Sequence, residues 1–124
     1  MPKLHRTFML PGLPPKELSP NQRLDRHVVA AAKAQARSDM IAVVREQGWF
    51  GPGAVYATLD ITFIATDRRR RDYDNLLAAC KPWIDGLVQA DVLQFDDTAH
   101  LKVFLDYRVD VDGEARTVFE VKER

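Results

Sequence analysis

Residues 67–75 read Asp67-Arg68-Arg69-Arg70-Arg71-Asp72-Tyr73-Asp74-Asn75, and the pair Asp96-Asp97 follows further along the chain. Residues two apart in an extended segment point the same way, so Asp72 and Asp74 would present both carboxylates on one side. A neighbouring strand or helix end could bring Asp97 opposite them. Three unpaired carboxylates repel and raise one another's pKa, whereas a Mg²⁺ ion takes two or three such oxygens and completes its octahedron with water and phosphate. A second reading uses the same residues: Asp72 or Asp74 caps a helix, and Asp96-Asp97 makes a turn before the last strands. Spacing leaves both open.

Four successive arginines are by default a solvated loop. Beside a carboxylate cluster, Arg68, Arg69, Arg70 and Arg71 gain a further use. Guanidinium groups hold flanking phosphates while a metal polarises the reacting one, and without them the carboxylates would repel DNA. The chemistry indicated is phosphodiester hydrolysis. Each phosphate neutralised would steepen the log-log salt dependence of binding by about 0.9 on B-DNA.

Other chemistries find less. His5, His27 and His100 are far apart with no cysteine or histidine at metal-ligand spacing, and they read as surface or partly packed residues. Ser19, Ser38 and Cys80 lie in no nucleophile motif, and there is no glycine-rich phosphate loop. The single Cys80 can form neither an internal disulfide nor a zinc ribbon, which leaves carboxylates for any metal and fits a reducing compartment.

The elements that must position these residues follow from periodicity. Lys3 to Leu10 alternates as a short strand, with Arg6 falling on the apolar side. The proline-rich stretch 11–18 is a loop. Ser19-Pro20-Asn21-Gln22 reads as a capping box opening a helix with Leu24, Val28, Ala32, Ala36 and Met40 on its apolar side, ended by Gly48 and Gly51-Pro52-Gly53. Ala54 to Thr66 alternates as a strand with Val55, Ala57, Leu59, Ile61, Phe63 and Ala65 on one face. A second helical pattern runs from Asp74 to Val88 across Pro82, so the helix bends there or 74–81 is a separate leading turn. Leu101 to Val109 and Ala115 to Val121 alternate again, with Asp112-Gly113 between them as a hairpin signal. The order β-α-β-α-β-β predicts an α+β fold with one mixed sheet of about four strands packed with two helices.

With 124 residues, 46% of them hydrophobic, the chain is expected to be one domain spanning 1–124 with one core. No apolar run exceeds the five residues Val28 to Ala32, and Met1 to Leu10 lacks the apolar core of a secretory signal, so the expectation is a cytoplasmic protein without a membrane span. The net charge of +0 hides an asymmetry: residues 1–71 carry twelve Lys and Arg against six Asp and Glu, and residues 72–124 the reverse. Such a division can mark an anionic partner on one side and a cation site on the other, or two halves that interleave and neutralise each other.

The ordered elements Asp67-Arg68-Arg69-Arg70-Arg71-Asp72-Tyr73-Asp74-Asn75-Leu76, Lys81, Asp85-Gly86-Leu87 and Asp96-Asp97 resemble the central signature of the RusA family of Holliday-junction resolvases. The likeness is close over residues 61–105. It is looser over the opening strand, the Leu18-Ser19-Pro20-Asn21 loop and the first helix. The resemblance implies a small homodimer that binds four-way DNA junctions and, with Mg²⁺ and no organic cofactor, nicks two opposing strands symmetrically. Its metal-binding and catalytic carboxylates would fall on Asp72, Asp74 and Asp97, with Asp96 as neighbour. Its catalytic lysine best matches Lys81, which stands about one helical turn further from Asp74 than in the family's pattern. Two other classes fit the residues: a DNA-junction-binding dimer that does not cut, and a metal-dependent nuclease or phosphatase acting on simpler nucleic acids.

Overall fold

The period-two run through Leu59 forms the strand around which the rest is organised. A computed structural model, which describes residues 3–124, places β1 at His5–Pro11, α1 at Arg26–Glu46, β2 at Ala57–Ala65, α2 at Tyr73–Gln89, β3 at Leu101–Val109 and β4 at Arg116–Glu123. A 3₁₀ turn occupies Lys16–Leu18. The fold is α+β, with one mixed four-stranded sheet and two helices, in the order expected from periodicity.

The strands lie in the order β1-β4-β2-β3. β2 and β3 are parallel with Leu59 opposite Val103, while β4 runs antiparallel to both β1 and β2. This order interleaves strands of the basic and acidic halves, so the charge surpluses of the two halves are mixed across the sheet. It also overturns the hairpin expected at Asp112-Gly113, because β2 lies between β3 and β4. Residues 110–115 instead cross the end of β2, two strand spacings or about 10 Å, and the crossing is tied by the Asp110 amide bonding to the Ala65 carbonyl.

One face of the sheet is covered by the helices. Phe8, Leu10, Leu59, Ile61, Phe63, Phe119 and Val121 meet Met40 and Val44 of α1 and Trp83, Ile84 and Leu87 of α2 in one core. Trp83 packs edge-on to Phe119 with ring centroids 5.9 Å apart. Arg6, which broke the apolar pattern of β1, lies with its guanidinium 5.3 Å from the centre of the Trp49 ring and bonds to the Gln47 carbonyl.

Three boundaries differ from expectation for identifiable reasons. Ser19 does not cap a helix. The helix begins at Arg26, and its cap is Asp25, whose carboxylate accepts the His27 amide at 2.7 Å. Val29 is the first residue after Leu18 to pack against the core, while Leu24 and Val28 are exposed, so no core contact draws residues 20–25 into the helix. β2 starts at Ala57, because Ala54 pairs with Leu93 and leaves Val55 exposed. α2 passes unbroken through Pro82. The bond lost there is to the carbonyl of Ala78, an exposed residue to which water has access, while the proline ring itself is buried.

No helix among the described residues is long and apolar enough to cross a membrane.

Candidate functional site

Asp72 occupies the N-cap position of α2, and its backbone carbonyl accepts the Leu76 amide at 3.1 Å, as the helix requires. Its carboxylate makes no capping bond and is exposed. Asp74, in the first turn, is also exposed and accepts only the amide of Asn75, at 3.0 Å. The helix therefore starts at Asp72 without using its side chain, and two acidic groups face solvent without a cationic partner among the described residues.

The four arginines before them divide. Arg68, Arg69 and Arg70 are exposed, and their guanidiniums have no partner among the described residues. Arg71 is half-buried and fully engaged: it bonds both Asp67 oxygens at 2.8 and 3.2 Å and the Tyr107 hydroxyl of β3 at 2.8 Å. The Arg71 bond, helped by the Arg69 amide, holds the Asp67 carboxyl down at about 2, and Asp67 in turn lifts the Arg71 pKa. Arg71, grouped above with the nucleic-acid-binding arginines, is thus the strut that fixes the loop to the sheet, and it leaves three guanidiniums for a ligand.

Lys81 and Asp97 are organised separately. Lys81 Nζ bridges Asp85 at 2.5 Å and Asp96 at 2.6 Å. Partial burial works against its charge, but the two carboxylates outweigh it and the Lys81 pKa is raised. Lys81 lies about 10 Å along the helix axis from Asp74, and through Asp96 it pins the loop that carries Asp97. Asp97 makes the turn: its Oδ1 accepts the Ala99 amide at 3.0 Å, and its carbonyl accepts the His100 and Leu101 amides. The same Oδ1 lies 2.7 Å from His100 Nδ1, a contact that lowers the Asp97 pKa.

The structure therefore does not gather Asp72, Asp74 and Asp97 into one donor set, and among the described residues no three His, Cys, Asp or Glu side chains stand together as metal ligands. The oxygen donors at Asp72 and Asp74 suit a hard cation such as Mg²⁺. Asp97 belongs to a different cluster, in which His100 is stacked between Phe95 and Tyr56 with centroids 4.3 and 5.1 Å away. Sequence reasoning passed over His100. The signal available was the spacing of three from Asp97 within a turn, while the Tyr56 contact spans the chain and has no local signature.

A cavity of about 480 Å³ opens beside Asp72, between the start of α2 and the loop from Leu13 to Gln22. Released from capping, the Ser19 to Gln22 segment forms its outer wall. Cys80 is buried, and burial pushes its thiol up to about 12, which removes it as a nucleophile.

No model of a known protein family matches the chain. It is similar to an uncharacterized protein of Xylella fastidiosa (strain Temecula1), 40% identical over 87 residues that make up 68% of this chain and 56% of the relative. The chain thus spans about half the length of the curated relative it matches.

Proposed function

We propose that the protein is a Mg²⁺-dependent endonuclease for branched DNA, a resolvase of the RusA kind acting on four-way junctions. The observation that carries this reading is the surface at the start of α2. There Asp72 and Asp74 are exposed without cationic partners, next to three unpaired guanidiniums at Arg68, Arg69 and Arg70. Opposite charges kept side by side yet unpaired suit a ligand that brings both anionic phosphate and a cation. The substrate class comes from the resemblance of the ordered elements of residues 67–97 to the RusA signature.

Asp72 and Asp74 would hold the cation, which when bound lowers the pKa of a coordinated water and neutralises charge developing on the phosphate. Arg68, Arg69 and Arg70 hold the flanking phosphates and set their register. Asp97 Oδ1 is taken by the Ala99 amide and His100, which leaves Oδ2 as the oxygen Asp97 would offer as a third donor, and Lys81, linked to Asp96, is placed to guide that loop. The resemblance further suggests a homodimer, whose twofold symmetry would match the junction's and yield paired cuts. A cytoplasmic setting accords with the single buried free thiol.

The engagement of Asp97 with the Ala99 amide and His100 favours a second reading, a junction-binding protein that does not cut. Incubation with a labelled four-way junction and a matched duplex, with and without Mg²⁺, tests both. Symmetric Mg²⁺-dependent nicks confined to the junction are expected. Cleavage of duplex and single strands alike would point to a simpler nuclease, and tight binding without nicks to the architectural reading.

A further inference from the structure

We propose that the cavity between the Leu13–Gln22 loop and the start of α2 is a subsite for one unstacked nucleobase of the bound strand. This rests on the nucleic-acid reading above and goes beyond it, because it assigns a place and a chemistry for base recognition. The cavity, about 480 Å³, falls within the range that encloses a small-molecule-sized group. Its lining is mixed: Leu13, Pro14, Leu76 and Ala79 contribute apolar surface, Asn21, Gln22 and Asn75 are amide residues, and Lys16, Arg69 and Arg70 bring positive charge beside Asp72.

None of the three amide side chains hydrogen-bonds to another described residue; the contacts of Asn21 with Ser19 Oγ and of Asn75 with Asp74 Oδ1 are made by the backbone N–H groups. Each therefore presents both a donor and an acceptor. A phosphate alone would use the arginines and leave the apolar lining without a role, while an apolar group would leave the amides and guanidiniums without partners. A nucleobase has flat apolar faces and an edge of donors and acceptors, and its own phosphate would fall at the arginines. The wall is held in place. The Gly12 amide bonds to the Ala115 carbonyl at 2.7 Å, Thr117 Oγ1 donates to the Gly12 carbonyl at 2.9 Å, and Leu18 is buried in the core. These contacts fix the loop at Gly12 and Leu18, and the continuing row Arg68 to Arg70 favours a base belonging to a strand over a free nucleotide.

The test uses the whole chain and fluorescence anisotropy without Mg²⁺. A labelled duplex carries one unpaired nucleotide, as each of the four bases in turn and as an abasic site, and free deoxynucleoside monophosphates serve as competitors. The expected result is about ten-fold weaker binding of the abasic duplex. Asn21→Ala, at an exposed position, should flatten the differences among the four bases without changing the salt dependence. Equal, salt-sensitive binding of abasic and base-bearing duplexes would overturn the subsite and leave the nuclease reading standing. Absence of binding to any DNA would overturn both. Monophosphates that compete as well as the strand would overturn the assignment to strand DNA.

Discussion

Gly86 lies where α2 crosses α1, and adding one methyl there sets two effects of known size against each other. A Cβ at Gly86 would stand 2.7 Å from the Met40 Cβ, 2.9 Å from the Arg37 carbonyl oxygen and 3.1 Å from the Met40 Cγ. In an exposed helix, Gly→Ala gains about 1 kcal/mol from propensity. Here carbon atoms need about 3.5 Å or more, Met40 is fully buried, and the Arg37 oxygen is backbone that no rotamer can move. The helices must separate by roughly 1 Å, opening contacts among Met40, Val44, Ile84 and Leu87, and overpacking of this kind costs about 1–3 kcal/mol plus the lost packing. Gly86→Ala should therefore destabilise the protein by about 1–2 kcal/mol net, against the sign of helix propensity. Urea unfolding should show a lower midpoint with an unchanged slope. A midpoint equal to or above that of the unsubstituted protein would refute the close helix crossing.

Substituting Arg68, Arg69 and Arg70 together with alanine should lower the salt slope of DNA binding by about 2.7, whereas Arg71→Ala should leave the slope nearly unchanged and lower stability instead. Anisotropy titrations across a salt series distinguish the two. The Asp67 pKa is depressed from 3.8 to about 2, so its pairing with Arg71 stabilises the fold above about pH 4 and is lost as pH falls through 2. Asp67→Asn should accordingly be less stable than the unsubstituted protein at pH 6, with the difference closing near pH 2 in thermal melts. Asp25→Ala should cost about 0.5–1 kcal/mol through fraying of α1, and Ser19→Ala less than about 0.5 kcal/mol; chemical denaturation that ranks them the other way would put the helix start back at Ser19.

Element types were legible because each rests on a local period. The alternation through Leu59 and the apolar spacing through Leu76, Ile84 and Leu87 report burial directly. What escaped the sequence depended on partners distant in the chain. A cap at Ser19 and one at Asp25 look equally good locally, and what decides for Asp25 is that packing against the core begins at Val29 and involves no residue from 20 to 25. Asp112-Gly113 has hairpin chemistry, but β4 inserts between β1 and β2, an outcome set by whole-sheet pairing. At the candidate site the acidic residues and arginines were visible as a cluster. The division of labour was not, because Arg71 is committed to Tyr107 of β3 and Asp97 to His100 by contacts that form only when the sheet does. The role of Gly86 was likewise hidden, since nothing near it in the sequence shows Met40 lying across it.

On the reading proposed above, the acidic group at the start of α2 drives metal-dependent hydrolysis of branched DNA. Its most direct test is a side-by-side assay of the unsubstituted protein and Asp74→Asn on a labelled four-way junction with Mg²⁺, with binding measured on the same substrate. The expected outcome is Mg²⁺-dependent nicks from the unsubstituted protein, none from Asp74→Asn, and junction affinity retained by both. Cleavage that survives in Asp74→Asn, or no cleavage by either protein, would contradict it.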